Sequence, residues 1–224
     1  MDDRRYLLNL IREGEHQQQD FKYKVQDAVK LARSVSAFAN TDGGRLLIGV
    51  RDDGHLSGVR SEEEIYMMHQ AAYRYCRPEA SIKFETFHVG IAETAVVRAK
   101  GHADSRTIVI ATVPRSDKRP VCALDTAGKA RAYIRIADEN IVASPVHLSI
   151  WREEQLLRGA TFTYGQQERA LLQALEAQEP QTLSQVVRRS RLPRPKAVTL
   201  LARMVRYSLV SMTFDGQQFR FSLA

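Results

Sequence analysis

Residues 35–50 combine the end of a helix, a tight turn and a short apolar run. Apolar residues recur at helical spacing up to Asn40, which ends that pattern. Gly43-Gly44 then supplies the backbone freedom that a chain needs just beyond a helix C-terminus. The apolar run at 46–50 stops at the turn sequence Asp52-Asp53-Gly54, so we predict a buried strand there. A helix leading into a buried strand in this way is typical of a core built from both helices and strands.

Helical and strand patterns continue on both sides of this stretch as far as residue 150. The predicted helices cover residues 3–12 and 27–40, with a third that starts at a Ser61–Glu64 capping box. The predicted strands lie at 15–24, 46–50, 55–59, 82–89, 95–99, 107–113 and 132–136, and the segment 55–59 is expected to return as a hairpin from the segment before it. Strands grouped with flanking helices favour an α+β fold with a mixed sheet.

The pattern changes after residue 150. A helix at 151–158 is followed by an amphipathic helix at 166–177, and Thr182 is placed to cap a further short helix. The sequence Pro193-Arg194-Pro195 opens another helix, and two strands then flank Asp215-Gly216. Three helices followed by a β-hairpin is the order of a winged helix-turn-helix domain. We therefore divide the chain into a core domain (1–150), a linker helix (151–164) and a winged-helix domain (165–224).

The positive charge is concentrated in the last third of the chain. The net charge is +7, with 11 Lys and Arg against 6 Asp and Glu in residues 151–224, and 22 against 20 before them. A basic C-terminal region indicates a polyanionic partner, with nucleic acid first. The contacts would come from the polar side of the helix that Pro193-Arg194-Pro195 opens and from the second hairpin strand. These residues are Lys196, Thr199, Arg203, Arg206 and Arg220. Winged helices also serve as protein-docking or dimerisation modules, and the basic face favours nucleic acid over these.

Several classes of chemistry are excluded by the motifs that the sequence lacks. It contains no phosphate-binding Gly-rich loop, no cysteine–histidine set with zinc spacing and no nucleophile elbow. It also contains no apolar run long enough to span a membrane, and the N-terminus does not resemble a signal peptide. The two cysteines, Cys76 and Cys122, stand in unrelated contexts, which fits a reducing compartment. We therefore expect a cytoplasmic protein without a membrane partner.

Carboxylates are the remaining candidates for chemistry. Glu15, Asp20 and Asp52 offer the hard oxygen ligands that Mg²⁺ or Mn²⁺ prefers, and such an ion activates water and holds a phosphodiester. Lys22 falls on the same face of an extended strand as Asp20, where it would stabilise phosphate charge. From spacing alone, solvated surface positions explain these residues better than a metal site does.

Four motifs in the first two thirds of the chain resemble the Schlafen core domain, which in bacteria is also described as a divergent AAA or ATP-binding domain. The resemblance covers roughly residues 10 to 148. The motifs are Glu15-x-x-x-x-Asp20-Phe21-Lys22, Ser36-Ala37-Phe38-Ala39-Asn40-Thr41-x-Gly43-Gly44 with Leu47-Ile48-Gly49-Val50-x-Asp52, Val113-Pro114-x-Ser116 with Arg119-Pro120-Val121, and Tyr133-Ile134-Arg135. In bacteria such domains often precede a winged helix in proteins described as predicted transcriptional regulators.

The resemblance implies three functions. The first is a DNA-binding regulator, expected as a homodimer, in which the core domain senses a signal or assembles the protein. The second is a metal-dependent endoribonuclease that holds Mg²⁺ or Mn²⁺ on Glu15, Asp20 and Asp52 and cleaves RNA bound by the core domain. The family usually has Glu where this chain has Asp20, and one methylene less can put a ligand out of reach. The third is binding of ATP or another nucleotide near Asn40, Gly43 and Gly44. Convergence of the three carboxylates on one point would favour the enzyme, and splayed carboxylates would favour the regulator.

Overall fold

The computed structural model describes residues 3–90, 96–97, 105–156, 164–176 and 179–224. The chain divides into two compact units, which we call unit 1 (Met1–Val142) and unit 2 (Ala143–Ala224). The predicted strand at 95–99 is described only at Val96–Val97, and the rest of it lies outside the described residues. None of the described helices is long and apolar enough to cross a membrane.

Unit 1 contains helices on either side of an extended sheet, followed by a second group of strands. Its helices are α1 (Asp3–Glu13), α2 (Ala28–Asn40) and α3 (Ser61–His69), the last continuing as a π-helical segment (Gln70–Arg74). Its described strands are β1 (Gln19–Lys22), β2 (Gly44–Ile48), β3 (Cys76–Arg77), β4 (Lys83–Gly90), β5 (Val96–Val97), β6 (Ser105–Val113), β7 (Cys122–Leu124), β8 (Ala130–Ile136) and β9 (Glu139–Val142). The α+β class with a mixed sheet is confirmed.

The described strands of unit 1 form two sheets. The first has five strands in the order β1-β2-β6-β4-β5, with β1 parallel to β2 and the other pairs antiparallel. The second is antiparallel in the order β3-β7-β8-β9. Leu46 and Ile48 of β2 pack into the cluster that contains α2, whereas Leu47 packs into the cluster that contains α1. Both faces of β2 are therefore covered, which explains why its sequence is a continuous apolar run.

Helix α2 is the central element of unit 1. Ten of its thirteen residues are buried, and its core cluster includes side chains of β2, β6, β7 and β8. The helix begins at Asp27, whose side chain accepts the N–H of Lys30 at 3.0 Å, and ends where the N–H of Gly43 donates to Phe38. A Cβ atom at Gly44 would lie 2.2 Å from the Phe38 ring, so this glycine is required for close packing.

Two local predictions in unit 1 were wrong. Residues 55–59 do not form a hairpin strand with β2, because β1 already occupies one edge of β2 and β6 occupies the other. The segment does turn back antiparallel just after β2, where Val50 and Leu56 form a bridge and the N–H of Ser57 donates to Gly49, and it then forms an isolated bridge from Val59 to Thr107. The capping box at Ser61 is also absent, because α3 begins after Arg60 and the Glu64 carboxylate instead accepts the N–H of Val25 at 2.9 Å. In the second case a long-range contact has displaced the local one.

Unit 2 consists of four described helices and a small antiparallel sheet. Its elements are α4 (Pro145–Leu156), α5 (Gln166–Leu175), β10 (Gln181–Thr182), α6 (Leu183–Ser190), α7 (Arg194–Arg206), β11 (Val210–Phe214) and β12 (Phe219–Leu223). The described sheet has the order β10-β12-β11, and the Asp215-Gly216 turn joins its last two strands. Thr182 caps α6 as predicted, since its hydroxyl accepts the N–H of Gln185 and the Gln185 side chain accepts the N–H of Thr182.

Helix α4 differs most from its predicted role. It begins at Pro145 rather than at residue 151, and the two units meet between residues 142 and 143 rather than at 150. Val146 is fully buried in the unit 2 core with Leu200 and Leu201 of α7. Helix α4 is therefore a packed helix of unit 2 and not a linker. The remainder of the predicted linker, at 157–163, lies outside the described residues.

Candidate functional site

Glu15 and Asp20 lie side by side at the start of β1. The Glu15 carboxylate accepts the N–H of Phe21 at 2.8 Å. Burial, together with the neighbouring Asp20 carboxylate, raises the pKa of Glu15 above its ordinary value. Asp20 is buried, and Lys22 Nζ lies 2.8 Å from its Oδ2. The structure thus brings three of the four predicted catalytic side chains together, namely Glu15, Asp20 and Lys22.

The second oxygen of Asp20 faces Arg135 of β8. The distance from Asp20 Oδ1 to Arg135 Nη2 is 3.5 Å, and the Arg135 side chain is only 1% exposed. Arg135 also lies over the Phe38 ring, 5.2 Å from its centroid, and donates to Asn140 Oδ1 at 3.1 Å. A buried guanidinium requires a counterion because an unpaired buried charge is strongly destabilising. Asp20 therefore serves as the counterion of Arg135.

Asp52 is not placed with the other two acids. It lies on the exposed turn after β2. In the part of the chain that the structure describes, no group of three or more His, Cys, Asp and Glu side chains is positioned to hold a metal ion. The oxygens of Asp20 already face two cations, so the donor set does not fit Mg²⁺ or Mn²⁺. Glu15 and Asp20 therefore lie together, and Asp52 does not join them around a common point.

The predicted nucleotide-binding residues have structural roles. Asn40 is buried, and its amide nitrogen donates to the carbonyls of Val121 and Tyr133 at 2.8 and 2.9 Å while its oxygen accepts the N–H of Val121 at 2.8 Å. Ser36 Oγ acts in parallel, donating to Val121 and accepting from Tyr133. These hydrogen bonds use the Asn40 amide to hold the backbone at Val121 and Tyr133, and nucleotide binding by Asn40 stays a prediction.

The double glycine contributes packing rather than a phosphate cradle. The N–H of Gly43 is taken by Phe38, and Gly44 lies against the Phe38 ring. Both glycines border an open cavity of about 480 Å³ whose lining includes Arg45, Glu85 and Asp42. This lining carries both signs of charge, so it does not select for an anionic phosphate chain.

Four of the five residues predicted to bind nucleic acid already have partners within unit 2. Thr199 Oγ1 donates to the carbonyl of Pro195 at 3.1 Å. Arg203 and Arg206 both pair with Glu153 of α4, and Arg220 pairs with Asp215 in the turn before β12. The hydrogen bond from the backbone N–H of Gln218, and next the one from Arg220, lower the pKa of the Asp215 carboxyl to about 2. The fifth, Lys196, is exposed at the start of α7 and makes no ion pair among the described residues.

A cluster of exposed cations near Lys196 was missed by the sequence analysis. These residues lie at the end of α6, in the turn and at the start of α7, and none forms an ion pair with an acidic residue in the described ranges. We call this surface the basic corner, and its members are Arg188, Arg189, Arg191, Arg194 and Lys196. The signal that could have found it is the absence of any Asp or Glu between Glu179 and Asp215, a stretch that holds seven Lys and Arg residues.

Comparison with known proteins identifies the family. The family model described as "Schlafen, AlbA_2" matches residues 15–144, which is more than half of the chain. The chain therefore belongs to the Schlafen, AlbA_2 family. The match ends before α4, so it covers unit 1 from residue 15 onward and only the first two residues of unit 2.

The other comparisons add little to this assignment. No curated protein gives a significant match. A solved structure of the DIP2311 protein from Corynebacterium diphtheriae is similar, with 18% sequence identity and a TM-score of 0.43. The similarity covers 91% of this chain and 34% of that one, so this chain spans about a third of its length.

Proposed function

We propose that the protein is a DNA-binding transcriptional regulator whose unit 2 is a winged helix. The order α5-β10-α6-α7-β11-β12, with β10 pairing to the second hairpin strand β12 at the centre of the sheet, is the order of that domain. In a helix-turn-helix the second helix enters the major groove, and its N-terminal residues reach the bases. Helix α7 has the matching place in unit 2, and its first turn carries Arg194 and Lys196.

The basic corner is the observation that carries this proposal. Its five cations are exposed on a surface formed by consecutive elements, without a neighbouring acid in the sequence from 180 to 214. Lys and Arg side chains that neutralise phosphates release counterions, which gives affinity for any duplex and a steep dependence on salt. The position of these cations, at the α6–α7 turn, is where a helix-turn-helix approaches the DNA backbone.

The proposal gives unit 1 a role in sensing or assembly, with the protein acting as a homodimer. Membership of the Schlafen, AlbA_2 family supports nucleic-acid binding by the protein and is compatible with RNA as well as DNA. The separation of Asp52 from Glu15 and Asp20 supports a regulator over an endoribonuclease, because RNA hydrolysis by three acids would need them around a shared ion. Light scattering on the purified full chain tests the dimer.

The proposal is tested by measuring the affinity of the full chain for a duplex DNA over a range of salt concentrations. The variant Arg194→Ala/Lys196→Ala should bind at least about ten-fold more weakly at low salt, and the slope of log K against log salt should fall by about 2. Lys129→Ala/Arg169→Ala removes the same charge from exposed positions elsewhere and serves as the matched control. Equal losses in both variants, or no loss in either, would contradict the proposal.

A further inference from the structure

Glu153 of α4 holds two of the α7 arginines. Its Oε1 lies 3.0 Å from Arg203 Nε, and its Oε2 lies 3.7 Å from Arg206 Nη1. The Glu153 side chain is only 14% exposed, whereas those of Arg203 and Arg206 are 44% and 31% exposed. The two oxygens of one largely buried carboxylate thus face two different guanidinium groups at the surface. We call these two ion pairs the Glu153 bridge.

We propose that the Glu153 bridge is an intramolecular substitute for a DNA phosphate, so that α4 restricts the nucleic-acid contacts of α7 to its N-terminal end. This inference rests on the proposed function of unit 2. Arginine forms its strongest polar contacts with carboxylates and phosphates through the same N–H groups. A phosphate that engages Arg203 or Arg206 must therefore share the guanidinium with the Glu153 carboxylate, whose negative charge offsets the attraction.

Helix α4 is fixed in place by its own packing, so the bridge is not a mobile strap. Val146 is fully buried in the unit 2 core, and Trp151 is 4% exposed. The His147 ring meets the edge of Phe219 of β12 at 4.8 Å between centroids and lies 5.9 Å from the Trp151 ring. Glu153 follows these anchors along α4 and is held against α7. Because the carboxylate is pre-positioned and partly shielded from water, salt screens this pair less than an exposed one.

The bridge divides the cations of the acid-free stretch into two groups. The five residues of the basic corner have no acidic partner among the described residues, while the two arginines further along α7 share one. Wild-type protein should therefore bind duplex DNA through the basic corner, with Arg203 and Arg206 contributing little. Removing the Glu153 charge should release both arginines and extend the contact surface along α7.

The test compares Glu153→Gln with Glu176→Gln in the full chain. Both variants remove one negative charge from unit 2, but Glu176 is exposed beyond the end of α5. Glu153→Gln should bind a duplex DNA about three- to ten-fold more tightly than Glu176→Gln at low salt, and its log K against log salt slope should steepen by up to about 2, as expected for two added phosphate contacts. Equal affinities and slopes for the two variants would overturn the inference.

Two further variants show whether the arginines account for the change. Arg203→Ala/Arg206→Ala should have little effect in the wild-type background and should abolish the gain in the Glu153→Gln background. A large loss in the wild-type background would show that both arginines already contact DNA, and it would overturn the inference. Glu153→Asp keeps the charge on a side chain one methylene shorter, so it should bind more weakly than Glu153→Gln. Equal affinities for these two would contradict the role of the charge.

The same experiments separate this inference from the proposed function. If Arg194→Ala/Lys196→Ala loses affinity while Glu153→Gln matches its control, unit 2 binds DNA and the Glu153 bridge has no part in it. If neither wild-type protein nor any variant binds duplex DNA, the proposed function itself fails. Trp151 is the single tryptophan of the chain and lies on α4, so its emission shows whether α4 stays packed in each variant.

Discussion

Asp20 and Arg135 form a buried ion pair that links β1 to β8, with 3.5 Å between Asp20 Oδ1 and Arg135 Nη2. The two residues are 4% and 1% exposed. Arg135 Nη2 also lies 3.3 Å from the carbonyl oxygen of Gln19, so the guanidinium bonds both the side chain and the backbone of β1. The pair joins strands from different sheets of unit 1, and Asp20 is consequently a determinant of stability.

We expect Asp20→Asn to lower the free energy of unfolding of unit 1 by about 3 to 5 kcal/mol, because it leaves Arg135 buried without a counterion. Lys22→Met removes the second cation that pairs with Asp20. The Lys22 side chain is 34% exposed, so this change should lower the free energy of unfolding by no more than about 1 kcal/mol. Urea unfolding followed by circular dichroism measures both. Similar losses in the two variants would show that Arg135 does not depend on Asp20.

Asn40→Ala should destabilise unit 1 by about 2 to 5 kcal/mol, because it leaves the N–H of Val121 and the carbonyl of Tyr133 without their side-chain partner, and the carbonyl of Val121 with Ser36 alone. Asn9→Ala, at an exposed position of α1, is the control and should change stability by less than about 0.5 kcal/mol. ATP should leave the melting temperature of the wild-type protein unchanged. A rise in melting temperature with ATP that disappears in Asn40→Ala would contradict the structural role.

Folded RNA incubated with the protein and Mn²⁺ should remain intact, because Asp52 does not join Glu15 and Asp20 around a common point. Asp52→Asn, at an exposed turn, should leave stability unchanged within about 0.5 kcal/mol. Gel analysis of a labelled RNA, with metal or with chelator, makes the measurement. Fragments that require metal and vanish in Asp52→Asn would establish a working nuclease site and contradict this prediction.

Unit 2 should lose stability in mild acid through His147. Burial lowers the pKa of His147 to about 4, below its ordinary value of 6.5. The folded state therefore binds its proton at lower pH than the unfolded state does, and the stability is complete above pH 6.5 and is lost as pH falls towards 4. The loss should reach no more than about 3 kcal/mol, since each pKa unit corresponds to about 1.4 kcal/mol.

Trp151 emission during urea unfolding reports this change, because Trp151 packs beside His147. His147→Gln cannot titrate, so the difference in unfolding free energy between wild-type and variant protein should shrink or reverse between pH 7 and 4. Parallel pH profiles for the two proteins would show that His147 is not the group responsible.

Local sequence signals predicted the elements whose causes are local. The helix stop at Asn40, the Thr182 cap and the Asp215-Gly216 turn depend on residues a few positions apart, and the structure contains all three. The segment at 55–59 turns back at the Asp-Asp-Gly turn as predicted, but it does not extend into a strand because the edges of β2 are filled by strands from elsewhere in the chain.

The site was harder to predict because its contacts are long-range. The pairing of Asp20 with Arg135 spans more than a hundred residues, and that of Glu153 with Arg203 spans fifty. Neither carries a periodic or short-range signature, so each charged residue resembles a solvated one in the sequence. The family motif around Asn40 identified the family correctly, but it could not indicate that its polar side chains form hydrogen bonds with backbone groups.

The hydrogen bonds of Ser36 and Asn40 have a consequence for where chemistry can arise in unit 1. Both side chains stand on the most buried helix of the unit and hold the backbone at Val121 and Tyr133. Their hydrogen bonds join α2 to the backbone at Val121 and Tyr133, so a ligand could reach these side chains only if that backbone separated from α2. Any reactive surface of unit 1 is accordingly expected on its loops and outer strands, while α2 has a purely structural role.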